Sequence, residues 1–249
     1  MHRTSVFAAL FALCPALAAQ PSPLLSRAPE RPEAATRYLF YLHGRIVEDQ
    51  GAEAVSPELG RYEYTAIVRQ LADSGFTVIS EVRARDTDPE VYADSVARQI
   101  RRLLAGDIRP QDITVVGASK GSVIAMLVST RLAEPVRLVL LANCNDNVLR
   151  RFPLRLHGEV LSIYEASDSL GRSCAPLFER SPGVTRKQEI RLETGLGHGF
   201  LFRPLPEWVG PTVSFARTGR TKTPAPASDP PRGELVDVGA RVTGARLIH

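Results

Sequence analysis

The chain has 249 residues, a length that fits one domain of ordinary size with or without a tail. Hydrophobic residues make up 44% and charged residues 23%, values typical of a soluble globular protein that buries a core without metals or disulfides. The formal net charge of +4 comes mostly from residues 217–249, which hold six basic and three acidic side chains. The basic balance therefore belongs to one end of the chain and does not indicate a nucleic-acid partner.

The first residues have the layout of a secretory signal peptide. A basic start at Arg3 precedes an almost wholly apolar run over residues 6–17, and small residues follow at Ala18 and Ala19. We expect residues 1–19 to be removed by cleavage near Ala18 or Ala19. The apolar run is too short to span a bilayer, so we expect an exported protein, periplasmic or secreted, without a stable membrane span. A retained membrane anchor is the alternative.

Short apolar runs alternate with amphipathic stretches along the middle of the chain. The predicted strands are residues 37–42, 76–80, 113–116, 136–141, 160–164 and 189–192. The predicted helices are one that includes residues 64–71, one that begins after Asp88 and stops at Gly106, and one over residues 122–132. Short apolar strands that alternate with helices predict the α/β class, with helices on both faces of a mainly parallel sheet.

These elements predict one α/β domain over residues 37–216, with a linker at residues 20–36 and a tail at residues 217–249. Pro, Gly, Thr and Ala dominate the tail, and no helical or strand period persists there. Such a segment buries too little apolar surface to offset its ordering entropy, so we expect it to be disordered. No insertion is long enough to form a lid, which predicts a shallow, open pocket.

The strongest functional signal is the segment Gly117-Ala118-Ser119-Lys120-Gly121, between a predicted strand and a predicted helix. A serine at such a sharp turn has a strained backbone, and Gly117 and Gly121 allow the strand and helix to approach without a clash. The amides at the helix N-terminus favour negative charge that develops beside the serine. We therefore expect Ser119 to be a nucleophile, with a plain glycine-rich loop as the alternative.

A serine hydroxyl needs a base to remove its proton, and His198 is the predicted base. It lies in the segment GLGHGF, residues 195–200, just after the last predicted strand, where glycines allow the loop to bring the imidazole over Ser119. By contrast, His249 ends the tail, and His157 precedes a strand instead of following one.

The base needs an acid that orients it and stabilises the imidazolium, and Asp168 is the predicted acid. It lies in Glu165-Ala166-Ser167-Asp168, directly after the strand at residues 160–164. Glu165 is closer to the end of that strand, and Asp146 follows the preceding strand. Both remain alternatives.

Taken together, the strand-HG, GASKG, EASD and GLGHG segments resemble the α/β-hydrolase superfamily, from about residue 37 to about residue 215. The order serine, acid, histidine, each after a successive strand, is the order of that superfamily. The resemblance implies a minimal member without a cap domain. It departs from the usual pattern because no strand is predicted ahead of residue 37.

The resemblance also implies an oxyanion hole made of backbone N–H groups. One donor would be Arg45 or Gly44, in the loop after the first predicted strand, and the other would be Lys120, which follows the nucleophile. His43 would shape this loop without a catalytic role. The side chains of Arg45 and Lys120 are expected to be solvated, and a sharper hypothesis is that Arg45 favours an acidic substrate group.

Two cysteines, Cys144 and Cys174, remain after removal of the signal peptide, and each follows a predicted strand at the same edge of the sheet. They either form one disulfide, which an oxidising compartment permits, or remain two partly buried thiols.

The predicted activity is hydrolysis of a small ester or thioester by Ser119, Asp168 and His198, with no cofactor. The first alternative is a non-catalytic exported binding protein that retains the same fold. The second is a metallohydrolase built on His43, His157 and Asp residues, although no paired-ligand spacing supports a metal site.

Overall fold

The structure is a computed structural model that describes residues 23–221. The predicted signal peptide and residues 222–249 of the predicted tail lie outside these residues.

The described residues contain nine strands and seven α-helices. The strands are β1 (Leu24–Leu25), β2 (Tyr38–Leu42), β3 (Val55–Ser56), β4 (Gly60–Arg61), β5 (Thr77–Ile79), β6 (Ile113–Ala118), β7 (Arg137–Leu141), β8 (His157–Glu165) and β9 (Gly183–Leu192). The helices are α1 (Arg45–Gln50), α2 (Tyr64–Asp73), α3 (Pro89–Ala105), α4 (Lys120–Leu132), α5 (Asp146–Arg151), α6 (Ala175–Glu179) and α7 (Pro206–Thr218).

Seven strands form one sheet in the order β1-β5-β2-β6-β7-β8-β9, and every neighbouring pair is parallel. The remaining two, β3 and β4, form a small antiparallel pair. The chain builds outward from β2 to β5 and then returns to place β6 on the other side of β2. Ligands of open α/β sheets bind outside the carboxyl ends of strands at such a reversal, which here is the carboxyl end of β2 and β6.

The sheet separates two apolar cores because successive strand residues face opposite sides. In β2, Phe40 and Leu42 pack in a cluster with residues of α3 and α4. Leu39 and Tyr41 pack in a second cluster with residues of α2 and α7. The structure therefore confirms the predicted α/β class, with helices on both faces of a parallel sheet.

Some elements differ from the prediction. The edge strand β9 begins at Gly183, well before the predicted start at residue 189. The prediction missed its first residues because they alternate between half-buried and exposed positions and form no apolar run. The expectation that no strand precedes residue 37 is wrong, since Leu24 and Leu25 pair in parallel with β5. With only two residues, β1 is too short to show a strand period.

None of the helices within residues 23–221 has the length and apolar character that crossing a membrane requires.

Candidate active site

Ser119 occupies a sharp turn between β6 and α4. Its backbone has φ 53° and ψ −117°, a conformation that side chains other than glycine rarely adopt. Both flanking positions require glycine because a larger residue would clash with the backbone. A Cβ on Gly121 would overlap the carbonyl oxygen of Leu42, and a Cβ on Gly117 would overlap the carbonyl oxygen of Gly121. The predicted elbow is therefore present, and α4 begins at Lys120, immediately after the serine.

His198 and Asp168 complete a continuous hydrogen-bond chain with this serine. The Nε2 atom of His198 lies 2.9 Å from Ser119 Oγ, and its Nδ1 atom lies 2.7 Å from Asp168 Oδ2. His198 lies on a short 3-10 turn, Gly197–Phe202, which follows β9. Residues 79 positions apart are thus in contact, and the structure brings together all three side chains selected from the sequence.

The carboxyl group of Asp168 is buried and ionised. Burial alone would raise its pKa, but the hydrogen bond and charge of His198, with the amides of Leu170 and Gly171, lower that pKa below its ordinary value. The amide of Leu170 donates to Oδ1 at 2.8 Å, which leaves Oδ2 for the histidine. An ionised carboxylate in this position holds the imidazole with Nδ1–H directed at it and Nε2 directed at the serine.

The two alternative acids lie elsewhere. Asp146 is exposed in the first turn of α5. Glu165 is buried, and its carboxylate accepts hydrogen bonds from Thr194 Oγ1 at 2.8 Å and from Ser167 Oγ at 3.1 Å. Its oxygens therefore contact the segment that leads to His198 and not the imidazole. The geometry favours Asp168 as the partner of the base.

Glu165 contributes instead by holding the histidine loop to the end of β8. The amide of Thr194 also donates to it at 2.9 Å, and Ser167 Oγ accepts from the amide of Gly197 at 3.0 Å, one residue before the histidine. Burial would raise the pKa of Glu165, but the hydrogen bonds from Thr194 and Ser167 outweigh it and lower that pKa. In the sequence, Glu165 is recognisable only as an alternative triad acid, and no local pattern signals this contact.

On the other side of the serine, the loop after β2 approaches closely. A Cβ on Gly44 would lie 3.5 Å from the Cβ of Ser119. Arg45 begins α1 and Lys120 begins α4. Amides in the first turn of a helix have no acceptor within the helix, so the backbone N–H groups of Arg45 and Lys120 make no hydrogen bond within α1 and α4.

An open cleft of about 540 Å³ lies over Ser119. Its walls mix charged, amide and apolar side chains, and they come from the β5–α3 loop, α4 and α5. The lining residues are Arg45, Asp86, Thr87, Asp88, Pro89, Ser119, Lys120, Val123, Asn143, Asn147, Val148, Arg151 and Phe152.

Comparisons with known proteins agree with this architecture. No protein-family model matches the chain, and no curated protein matches it. Among solved structures, the chain is similar to a protein of unknown function from Agrobacterium tumefaciens that is assigned to the α/β hydrolases. The identity is 16% over 74% of this chain and 85% of that chain, with a TM-score of 0.50. It is also similar to an esterase of the bacterial hormone-sensitive lipase family, with 15% identity over 73% of this chain and 76% of that chain and a TM-score of 0.50.

The chain has the α/β-hydrolase fold. At such low identities the likeness extends to the fold alone, so the activity must be argued from the site.

Within this hydrolase fold, His43 is a buried support of the loop after β2. Its Nδ1–H donates to the carbonyl of Gly44 at 2.8 Å, and its Nε2 accepts from the amide of Arg83 at 3.0 Å. Burial, with a further contribution from the charge of Arg83, lowers the pKa of His43 to about 3. The ring is therefore neutral, and it orients the peptide group whose N–H belongs to Arg45.

A buried carboxylate, Glu48 on α1, connects the two oxyanion segments. Its Oε2 accepts from Arg83 Nε at 3.1 Å, and its Oε1 pairs with the ammonium of Lys120. The side chains of Glu48 and Arg83 are both 0% exposed. Lys120 also donates to the carbonyl of Thr87 at 2.7 Å, so the expectation that its side chain is solvated is wrong. Glu48 was not predicted from the sequence, because α1 is too short to show a helical period.

Arg45 is exposed, as expected. Its guanidinium lies 3.3 Å from Asp49 and 3.9 Å from Asp86. Its positive charge therefore already faces two carboxylates.

Cys144 and Cys174 form a disulfide, with 5.0 Å between their Cα atoms. Asn143, next to the first cysteine, donates to the carbonyl of Ser119 at 2.8 Å. Arg172, close to the second, donates to the carbonyl of Asp168 at 2.8 Å. The disulfide thus joins a loop that contacts Ser119 to the loop that carries Asp168.

The two histidines of the metal-site hypothesis lie at opposite ends of the parallel strands, one at the carboxyl ends and one at the amino ends. His43 follows the carboxyl end of β2, whereas His157 begins β8 and bonds to Ser129. Among residues 23–221, no group of three or more His, Cys, Asp or Glu side chains is arranged to hold a metal ion.

Proposed function

We propose that this chain is an exported serine hydrolase that cleaves a small ester-like substrate, ester or thioester, through an acyl-enzyme. The observation that carries the proposal is the hydrogen-bond chain from Asp168 through His198 to Ser119, at 2.7 and 2.9 Å. Both distances are within the range that proton transfer requires.

In the proposed reaction, Ser119 Oγ attacks the substrate carbonyl carbon while His198 Nε2 accepts the serine proton. The tetrahedral intermediate expels the alcohol or thiol, which takes the proton from His198, and the acyl group remains on the serine. Water then attacks the acyl-enzyme and passes a proton to His198. Collapse of the second tetrahedral intermediate releases the acid product, and His198 returns that proton to Ser119 Oγ. Asp168 stays ionised throughout and stabilises the imidazolium.

The oxyanion of each tetrahedral intermediate would be held by the backbone N–H of Lys120 and that of Arg45 or Gly44. Each such donor contributes on the order of 3 kcal/mol to stabilisation of the transition state. The support comes from the close approach of Gly44 to Ser119 and from the start of α4 directly after the serine.

Export is supported by two independent features. Residues 1–19 have the pattern of a signal peptide. The Cys144–Cys174 disulfide is of the kind that persists in oxidising compartments such as the periplasm or the extracellular space.

The test is the Ser119→Ala variant of the mature protein, assayed with p-nitrophenyl esters of short acids. We expect kcat to fall by on the order of 10⁴-fold or more, because the variant has no nucleophile. The thermal midpoint should change little. Undiminished turnover in this variant would refute the assignment of Ser119.

A fluorophosphonate probe separates this proposal from a non-catalytic binding protein with the same fold. Only a serine activated by a neighbouring base reacts with such a probe. We expect labelling of the wild type and none of Ser119→Ala or His198→Ala. An unlabelled wild type would favour the binding protein.

A further inference from the structure

We infer that the cleft over Ser119 takes esters whose remote end carries a carboxylate, and that Arg151 binds this carboxylate. The inference rests on the proposed function and adds the substrate class. It follows from the pairing of the charged side chains that line the cleft.

Most charges in the cleft already have partners. Lys120 is paired with the buried Glu48, and Arg45 lies against Asp49 and Asp86. Asp88 caps α3, where its Oδ1 accepts from the amides of Glu90 at 2.8 Å and Val91 at 3.0 Å. Each of these groups therefore already has a partner in the protein, with which a charged ligand would have to compete.

Arg151, the last residue of α5, is the exception. It lines the same cleft as Ser119, and within residues 23–221 its guanidinium makes no ion pair with a carboxylate. The carbon of the guanidinium lies 5.1 Å from the centre of the Phe152 ring, so the aromatic face supports its orientation. A planar guanidinium presents paired N–H donors that match a carboxylate.

A competing negative charge in the same cleft is that of Asp88. Its pKa is lowered chiefly by the amides of Val91 and Glu90, and Arg151 adds a smaller effect through its charge. The two side chains therefore interact across the cleft without a direct contact, and the donors of Arg151 remain available to a ligand.

The rest of the lining suits an ester with an apolar spacer. Val123, Val148 and Phe152 supply apolar surface, and Asn143 and Asn147 supply side-chain amides. A substrate with its carbonyl at Ser119 and its carboxylate at Arg151 would cover this surface. We therefore assign the binding of an acidic substrate group to Arg151 and not to Arg45, whose charge already faces two carboxylates.

The test uses three acetate esters, those of para-hydroxybenzoate, para-hydroxyphenylacetate and para-hydroxyphenylpropionate. Each is compared with its primary carboxamide, which has nearly the same shape and no charge. For at least one spacer length, the ratio of kcat/KM for the carboxylate to that for the carboxamide should be about tenfold lower in Arg151→Gln than in the wild type. This factor corresponds to the loss of one charge-assisted contact. The inference would be overturned if, at every spacer length, this ratio were the same in Arg151→Gln as in the wild type.

Arg150→Gln is the matched control. It removes the same charge one residue earlier in α5, where the guanidinium donates to Asn147 and does not line the cleft. The ratio should remain within about twofold of the wild-type value, since a distant exposed charge is screened by salt. An equal fall in both variants would show a general field effect and would overturn the specific role of Arg151.

The outcomes also separate this inference from the proposed function. Hydrolysis of p-nitrophenyl acetate with no effect of Arg151→Gln on the ratios refutes the substrate class alone. Absence of hydrolysis of every ester, together with an unlabelled Ser119, refutes both.

Discussion

Two buried glutamates lie on opposite sides of Ser119 and stabilise its surroundings by different physical means. Glu48 lies on the side of the predicted oxyanion donors Arg45 and Lys120, which we call the oxyanion side. It is paired with two cations, Arg83 and Lys120. Glu165 lies on the side of the segment that carries His198, which we call the histidine side. It accepts hydrogen bonds from hydroxyl and amide groups of Ser167 and Thr194. The oxyanion side is therefore held by charge pairs, and the histidine side by neutral donors around one carboxylate.

This difference determines how each side should respond to change. Removal of one member of a buried charge pair leaves an uncompensated buried charge, which is strongly destabilising. Removal of a carboxylate that faces only neutral donors leaves unsatisfied N–H and O–H groups, some of which can turn to water. We therefore expect changes on the oxyanion side to affect stability most, and changes on the histidine side to affect turnover most.

The largest effect should follow Glu48→Gln. The change leaves the positive charge of Arg83 buried without an anion, so we expect the free energy of unfolding to fall by about 3 kcal/mol or more. Urea denaturation of the purified protein measures this.

Asp49→Asn is the control for that prediction, since it removes the neighbouring carboxylate on α1, whose partner Arg45 is exposed. Its loss should be less than about 1 kcal/mol. Equal losses in the two variants would contradict the importance of the buried pairing.

The next effect concerns acidification and the buried His43 on the oxyanion side. The pKa of His43 is lowered to about 3 in the folded protein, so the unfolded chain takes up a proton as the pH falls below about 6.5 and the folded chain does not. The stability contributed by the neutral ring is complete above pH 6.5 and is lost on acidification. Between pH 6.5 and 5 the wild type should lose about 2 kcal/mol from this source.

His43→Gln provides the comparison because glutamine retains one donor and one acceptor and does not titrate. Urea denaturation at both pH values should show about 2 kcal/mol less acid destabilisation in this variant than in the wild type. Glu165 should not contribute in this range, since its pKa is lowered below its ordinary value and the group stays ionised. Identical pH slopes for the two proteins would contradict the assignment.

The smallest effect is expected from Glu165→Gln, and it should appear in turnover. Glutamine replaces one of the two acceptor oxygens with an NH2 group, which cannot accept from the donors of Thr194 or Ser167. We expect this change to loosen the segment that carries His198, so that kcat falls about tenfold while KM changes little. Steady-state kinetics with a p-nitrophenyl ester separates the two constants.

Glu193→Gln is the matched control, because this exposed glutamate lies in the same segment and, among residues 23–221, pairs only with Arg191. Its kcat should match that of the wild type. A change in KM alone for Glu165→Gln would argue against a positioning role.

Much of the fold could be predicted from local patterns. The apolar runs that became β2, β6 and β7 are buried in full, so hydrophobicity alone marks them. By contrast, β9 lies at the edge of the sheet and remains partly exposed, so its polar residues concealed its start. The short helices α1 and α5 escaped prediction because they contain fewer than two turns.

The parts of the candidate site that form contiguous motifs could be predicted, whereas the contacts between distant segments could not. The Ser119 elbow and the glycine-rich segment around His198 are contiguous sequence signals, and the order of elements predicts that both lie at one edge of the sheet. The pairing of Cys144 with Cys174 was one of two open alternatives, because chain distance does not determine spatial distance. Arg151 was not identified at all, since its significance lies in the absence of an ion pair among the described residues.

The sequence by itself determined the α/β class, the position of the Ser119 elbow and the order of the serine, acidic and histidine segments, because each of these is marked by residues close together in the chain. Tertiary structure decided that Asp168 and not Glu165 faces the imidazole, and that Glu48 joins Lys120 to Arg83. It also decided that Arg151 lines the cleft without an ion pair among residues 23–221. Those outcomes depend on which side chains meet after the strands assemble. Burial then selects among them, because a charge inside the protein is stable only where a partner compensates it.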